Sequence, residues 1–170
     1  MTDLGSLGGI ISEARAVNRA GDVVGGSNGD AFLVHNGKMS DLGPGTATGI
    51  NDFGEIAAST SCCHAFLISG GTRTALPDLS NYACCPGGLS GASGISNNHQ
   101  IVGGSDNAQG YVHAVMWGNG TITDLGTLAD PQIAPYAQST TTAINNLGQV
   151  TAGHRRTPTR RTGSCTAMPR

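Results

Sequence analysis

The sequence predicts an all-β fold of antiparallel four-stranded repeat units, and three observations lead to that prediction. A short phrase, Asp-Leu-Gly or Asp-Leu-Ser, recurs at spacings of 38, 37 and 46 residues, beginning at Asp3, Asp41, Asp78 and Asp124. Glycine accounts for 27 of the 170 residues, about twice its usual share. Charged residues make up 12%, about half their usual share. Such a chain is typical of many tight turns between short strands, arranged as a repeat.

The first hairpin of each unit is predicted by an Asn and a Gly. A short apolar stretch ends in Asn, and a Gly follows three residues later. Asn at the first position and Gly at the fourth suit a type I turn, since the Asn side chain bonds the local backbone. We therefore predict turns at 18–21, 51–54 and 145–148. In the third unit Ser96 replaces Asn and His99 replaces Gly, so we expect that turn to be strained or reshaped.

The remainder of each unit completes four strands. A second strand and a polar loop lead to a four-residue apolar run, at 31–34, 65–68 and 114–117. A short apolar run bounded by turn residues is typical of a strand buried on both faces. Tight hairpin signals follow at 36–37, 70–71 and 119–120.

The repeat period matches four strands. Strands of about 5–6 residues and loops of about 4–6 residues together need roughly 40–45 residues for each unit. An antiparallel unit of this length is typical of a propeller blade, whereas β-solenoid coils are usually shorter. The fourth unit lacks the apolar run. We therefore predict that the units stack as an incomplete β-propeller-like array, whose exposed strand edges favour self-association.

Two regions follow from this pattern. We predict β-repeats over 1–153, with three units and a partial fourth, and an arginine-rich tail over 154–170. The tail contains Arg155, Arg156, Arg160, Arg161 and Arg170. Clustered positive charge can bind nucleic acid, but the tail departs from the repeat where the apolar run should begin, as a shifted reading frame would do. We expect a disordered or frameshifted tail and no nucleic-acid partner.

The sequence also bears on targeting. No apolar stretch reaches the roughly 18–20 residues that span a bilayer, so we expect no membrane insertion. No signal peptide is recognisable, because the chain opens within a repeat phrase. We therefore expect it to be a fragment of a longer repeat protein.

A tripeptide at the start of the apolar run carries a resemblance. It reads His-Ala-Phe at 64–66, His-Ala-Val at 113–115 and Asp-Ala-Phe at 30–32. Together with the phrases at 3–9, 16–18 and 21–25, this pattern resembles the bacterial HAF-repeat family. The resemblance covers about residues 2–153. It implies a β-rich repeat fold and an extracellular or cell-envelope location, and it implies no activity or catalytic residue.

Four of the five cysteines form two adjacent pairs, and they offer the clearest chemical prediction. Cys62-Cys63 and Cys84-Cys85 lie 22 residues apart. Thiolates and the His64 imidazole suit zinc, but zinc sites favour a spacer of about two to four residues between cysteines. Free thiols are a further alternative. We favour a disulfide between the two loops, formed in an oxidising compartment, and predict no metal.

The recurring His and Asp residues have structural interpretations. His64 and His113 stand at the start of the buried strand, so we expect each ring to bond a neighbouring strand's backbone. The four Asp residues of the recurring phrase could form a carboxylate ring. Because they recur at each unit junction, we favour turn capping by the Asp side chain instead. No calcium loop, hydrolase elbow, P-loop or dinucleotide motif is complete.

These observations predict a non-enzymatic repeat module for binding or structural scaffolding. We expect an unknown protein or glycan ligand at the loops around the array's axis, no cofactor and no catalytic residues. The alternative is a fragment of a propeller-type hydrolase or lyase with an unrecognised site. That alternative requires unrepeated polar residues to converge near the axis, and the chain's candidates are His99, Tyr82, Tyr111 and Arg73.

Overall fold

The computed structural model describes residues 4–61, 64–79, 89–128 and 137–155. Within these ranges the regular structure consists of β-strands, and no residue is helical. The part of the chain that is described therefore contains no helix long and apolar enough to cross a membrane. The predicted all-β fold is confirmed.

The strands form three four-stranded antiparallel sheets, which we call blades, and one two-stranded sheet, which we call the half-blade. Each sheet is a simple meander in chain order. Blade 1 contains β1 (Ser12–Val17), β2 (Val23–Ser27), β3 (Asp30–His35) and β4 (Lys38–Pro44). Blade 2 contains β5 (Thr46–Ile50), β6 (Ile56–Ser59), β7 (Ala65–Ser69) and β8 (Thr72–Ala75). Blade 3 contains β9 (Ser90–Ile95), β10 (Ile101–Asp106), β11 (Val112–Gly118) and β12 (Thr121–Gly126). The half-blade contains β13 (Gln138–Ile144) and β14 (Val150–Arg155).

The blades stack as an incomplete β-propeller-like array. The first strand of each sheet contacts the first strand of the next, so β1, β5, β9 and β13 lie side by side at the inner edge. The half-blade forms although its sequence lacks the apolar run. β14 reaches Arg155, two residues beyond the repeat boundary predicted at 153, because antiparallel pairing of Ser139 with His154 requires only backbone groups.

The turns adopt the predicted conformations. Gly21, Gly54 and Gly148 have φ of 86°, 77° and 78°, and each donates its N–H to the carbonyl of the Asn three residues earlier. His99 takes the same left-handed conformation with φ of 60°, and its N–H donates to the Ser96 carbonyl. That turn is strained rather than reshaped, since a β-carbon in this conformation costs about 1–2 kcal/mol.

The second hairpin turns are also as predicted. Both central residues have positive φ at 36–37, 70–71 and 119–120. This conformation defines a type I′ turn, whose twist matches that of the flanking strands. Local sequence therefore sets both the inner and the outer hairpin of each complete blade.

The core lies between blades. One apolar cluster fills the junction of blades 1 and 2 and includes Val24, Ile56, Phe66 and Ile68. A second fills the junction of blades 2 and 3, where Trp117 and Val115 are almost fully buried. The third strands carry most of these large side chains, as expected for the apolar runs.

Arg73 joins the outer strands of blades 1 and 2. Its guanidinium lies 3.9 Å from the centre of the Phe66 ring, and it donates hydrogen bonds to the carbonyls of Leu42 (3.2 Å) and Pro44 (2.7 Å). We expect Arg73→Ala to lower the free energy of unfolding by about 1–2 kcal/mol in urea titrations. Arg73→Lys keeps the charge but not the planar guanidinium. We expect it to lower the free energy of unfolding by about half as much as Arg73→Ala does. Equal stability of both variants and the parent would contradict this role.

Candidate functional site: the axial groove

A groove runs along the inner strands, and we call it the axial groove. At blades 1 to 3 it opens as a cavity of about 440 Å3, lined by Glu13, Ala14, Arg15, Thr48, Ala92 and Ser93. It continues toward the half-blade as a second cavity of about 570 Å3, whose lining includes Ser93, Gln138, Thr140, Thr142 and His154. Ala92 and Ser93 line both cavities, so the two form one continuous surface.

A β-bulge at the same position of every inner strand supplies the groove with side chains. The pairing register of the inner strand slips at one residue in each sheet, so that Arg15, Thr48, Ser93 and Thr142 are left unpaired in the ladder. A bulge changes the direction of a side chain locally and is common beside functional sites. Three of these four residues are hydroxyl-bearing, and all four line the groove.

Among the four bulge residues, only Arg15 at the blade 1 end carries a charge, and the buried Asp106 adds a carboxyl group to the lining of the half-blade part. Arg15 Nη2 lies 2.8 Å from Glu13 Oε2, and both side chains are exposed. Farther along, the bulge residues are neutral. The Thr48 hydroxyl donates to the Ala57 carbonyl (3.1 Å) and the Thr142 hydroxyl to the Thr151 carbonyl (3.3 Å), so each retains acceptor capacity toward the groove.

Three serine hydroxyls that line the groove hold neighbouring blades together. Ser59 accepts the Ala92 N–H (2.9 Å), Ser90 accepts the Ala65 N–H (3.0 Å) and Ser139 accepts the Ala114 N–H (2.8 Å). Each bond crosses from one blade to the next. These hydroxyls therefore act as structural bridges beneath the groove.

His154 is a residue of this surface that the sequence analysis assigned to the tail. It occupies the position that Ser27 and Ser105 take on the second strands of blades 1 and 3. Both ring nitrogens are buried, and neither has a hydrogen-bond partner among the described residues. The only sequence signal is the replacement of a recurring hydroxyl by His, and it becomes visible only once the strand register is known.

The end of the array that carries the 18–21, 51–54, 96–99 and 145–148 turns is built differently. In every turn after the first, the side chain at the second position accepts the backbone N–H of its counterpart one blade earlier. Arg19 N donates to Asp52 (2.9 Å), Asp52 N to Asn97 (2.9 Å) and Asn97 N to Asn146 (2.8 Å). At the first position, Asn18 Nδ2 donates to the Asn51 carbonyl and Asn51 Nδ2 to the Ser96 carbonyl. We call these inter-blade bonds rungs.

The His residues of the recurring tripeptide lie beside the aspartates of the Asp-Leu phrase. His113 Nδ1 lies 2.9 Å from Asp124 Oδ2, whereas His64 Nδ1 lies 3.8 Å from Asp78 Oδ2, beyond hydrogen-bond distance. For His113 the expectation of a backbone partner is therefore wrong. The antiparallel pairing of the third and fourth strands brings the aspartate of the Asp-Leu phrase beside the ring, and a carboxylate is the stronger acceptor.

The aspartates also cap, as predicted, where the structure describes both partners. Asp41 Oδ1 accepts the Gly43 N–H and Asp124 Oδ1 the Gly126 N–H, each at 2.7 Å. The capped segment is a bulge within β4 and β12. Asp3 lies outside the described residues.

The three unrepeated polar residues that the structure describes do not come together. His99 lies at the turn end, where its Nδ1 is 2.7 Å from Glu55 Oε2 and its ring stacks on Phe53. Tyr111 is the last residue of the β10–β11 loop at the opposite end, and Arg73 lies on the outer strand β8. Tyr82 lies outside the described residues, as do all the cysteines, including those of the predicted Cys62, Cys63, Cys84, Cys85 disulfide.

We expect Asp22 to make the stability of the fold depend on pH. Hydrogen bonds from His35 (2.6 Å) and Asn18 (3.0 Å) hold the pKa of the Asp22 carboxyl below its usual range. A lowered folded-state pKa stabilises the fold above the unfolded-state value, and that stability is lost as pH falls through the folded-state pKa. We expect Asp22→Asn to be less stable than the parent at neutral pH. We also expect its stability to fall less than that of the parent on acidification, as measured by the urea midpoint at each pH. A parallel pH profile for the two proteins would contradict this assignment.

Comparison with known proteins leaves the family open. No protein-family model matches the chain, and a search of curated proteins found no match.

Proposed function

We propose that this chain is a non-enzymatic binding module of the HAF-repeat type that takes a protein or glycan ligand in the axial groove. The observation that carries the proposal is the bulge repeated in all four inner strands, which lines one groove with Arg15, Thr48, Ser93 and Thr142. Inward-turned side chains at equivalent positions offer a row of similar contacts. Such a row suits an extended ligand.

The chemistry of the lining favours recognition of neutral polar groups. Hydroxyls and an amide line the half-blade part of the groove, together with the apolar Leu89 and Val112 and the buried Asp106. The ion pair of Glu13 and Arg15 leaves little net charge at the other part. Peptide backbones and sugar hydroxyls both match such donors and acceptors. The serine hydroxyls that bridge the blades are engaged by backbone N–H groups, which argues against their use as nucleophiles.

Two probe sets test the groove directly: a glycan array and a phage-displayed random peptide library. We expect binders in one of them, and we expect binding to be lost in both Ser93→Trp and Thr142→Trp, which fill the groove with indole. Thr74→Trp, on the outer strand β8 of blade 2, is the matched control and should bind like the parent. Circular dichroism identifies any variant that fails to fold.

Three results would count against the proposal. Absence of any binder in both sets would remove it, as would binders that ignore the two groove variants. Chemical turnover of a bound peptide or glycan, detected by mass spectrometry, would instead support the hydrolase or lyase alternative.

The proposed location is extracellular or in the cell envelope, in keeping with the resemblance and with the favoured disulfide. Immunoblots of medium, envelope and cytosol from the source cells test the location. Thiol titration of the unfolded protein with and without reductant tests the disulfide among Cys62, Cys63, Cys84 and Cys85. Recovery in the cytosol with every thiol free would contradict both.

A further inference from the structure

The array uses one design for its successive junctions. The last residue of each inner strand after the first is an isoleucine that packs on the preceding blade. Ile50 belongs to the cluster between blades 1 and 2, with Ala16 packed against it. Ile95 Cγ2 lies 3.3 Å, and Ile144 Cγ2 3.8 Å, from the positions that a β-carbon on Gly49 and on Gly94 would take. Each junction thus combines an isoleucine with a small residue on the blade before it.

Blade 1 has one face that packs on no described blade, and we call it the free face of blade 1. This face presents the first half of the junction. Val17 stands at the position of Ile50, but 64% of it is exposed, against 8% for Ile50. The neighbouring Asn18 carbonyl accepts the N–H of Gly21, as the Asn51 carbonyl accepts that of Gly54. The Asn51 carbonyl also accepts a rung from the preceding blade, and a carbonyl can accept two such bonds.

The half-blade likewise has a free face, on the side where no described blade follows. This face presents the second half of the junction. Ala143, at the position of Ala16, Gly49 and Gly94, is exposed. Asn145 is exposed as well, and its Nδ2 donates to Gln149 Oε1 (2.7 Å). The corresponding Nδ2 groups of Asn18 and Asn51 each donate a further bond to the next blade's carbonyl.

We propose that a second copy of this chain docks by placing the free face of its blade 1 on the free face of the half-blade. Val17 of the second copy would cover Ala143, and Asn145 would donate a rung to its Asn18 carbonyl. The contact is head-to-tail, and such a contact closes into a ring when the rotation allows. Two copies would set eight inner strands, one from each sheet, around one axis. Propellers have about four to eight blades, so this number lies in their range. This association does not depend on a groove ligand.

One rung would be absent from this contact. Asp52, Asn97 and Asn146 each accept the backbone N–H of the preceding turn, whereas blade 1 carries Arg19 at that position. Arginine has no acceptor. The contact between copies is therefore weaker than the junctions within the chain, and Arg19→Asn should restore the missing bond.

Sedimentation velocity over a concentration series of the full chain tests the proposal. We expect a dimer whose dissociation constant rises about tenfold or more in Val17→Asp, since a buried unpaired charge is costly. Thr74→Asp, an exposed β-branched residue on blade 2, is the matched control and should not change it. Arg19→Asn should tighten the dimer about fivefold, the effect of one hydrogen bond, whereas Arg19→Ala should not.

Two outcomes would overturn the proposal. One is a dimer that persists unchanged in Val17→Asp, which would point to pairing of the exposed strand edges instead. The other is a monomer at the highest soluble concentration for both the parent and Arg19→Asn. Circular dichroism of each variant separates loss of association from loss of fold.

Discussion

Replacement of Trp117 by alanine should lower the free energy of unfolding by about 3–5 kcal/mol, as is typical for loss of a buried tryptophan. The side chain is 2% exposed and packs in the cluster between blades 2 and 3. Its Nε1 also donates to the Pro77 carbonyl at 2.7 Å. Because natural domains have only about 5–15 kcal/mol of stability, this one change would remove a large share of it.

Trp117→Phe separates packing from hydrogen bonding. It keeps an aromatic ring in the cluster but removes the indole N–H, so we expect a loss of about 1–2 kcal/mol. Trp117 is the only tryptophan, so urea unfolding of both variants should be followed by circular dichroism rather than fluorescence. Equal losses in Ala and Phe variants would show that the hydrogen bond, not the packing, dominates.

The second large effect is expected for Asn51→Ala, at about 3 kcal/mol. Asn51 is 3% exposed. Its Oδ1 accepts the N–H groups of Phe53 (3.1 Å) and Glu55 (2.9 Å). Its Nδ2 donates to Glu55 Oε2 (2.6 Å) and to the Ser96 carbonyl of the next blade (3.2 Å). Alanine would leave these partners unpaired in a buried junction.

Asn145→Ala is the matched control, since it alters the same turn where no described blade follows. Asn145 makes the same local bonds to Leu147 and Gln149, but it is exposed and water can replace them. We expect a loss of about 1 kcal/mol. Urea titration of both variants at a protein concentration where the chain is monomeric gives both values, because Asn145 then has no second copy to contact. A cost for Asn145→Ala as large as that for Asn51→Ala would refute the importance of the rung.

The sequence alone determined the strands and turns, because the chemistry that specifies them is local. Gly21, Gly54 and the Asn36-Gly37 pair each stand where the backbone needs a left-handed conformation, and glycine or asparagine adopts it at least cost. The sequence also predicted the exception. His99 occupies a glycine position, and the turn keeps its conformation but is strained. The period of four strands then followed from the distances between such turns.

The tertiary structure decided which groups meet across the blades. The partners are far apart in the chain, so their contact depends on how one blade is aligned with the next. Asn51 and Ser96, or Arg73 and Pro44, become partners only when one blade packs on the next in a fixed register. Within each sheet, the pairing of the inner strand with the second strand slips at one residue, and the bulges there turn Arg15, Thr48, Ser93 and Thr142 into one groove. The sequence contains no repeated motif that predicts the groove, because the residue at the bulge position differs from blade to blade. The groove is created by the strand register rather than by the identity of the side chains.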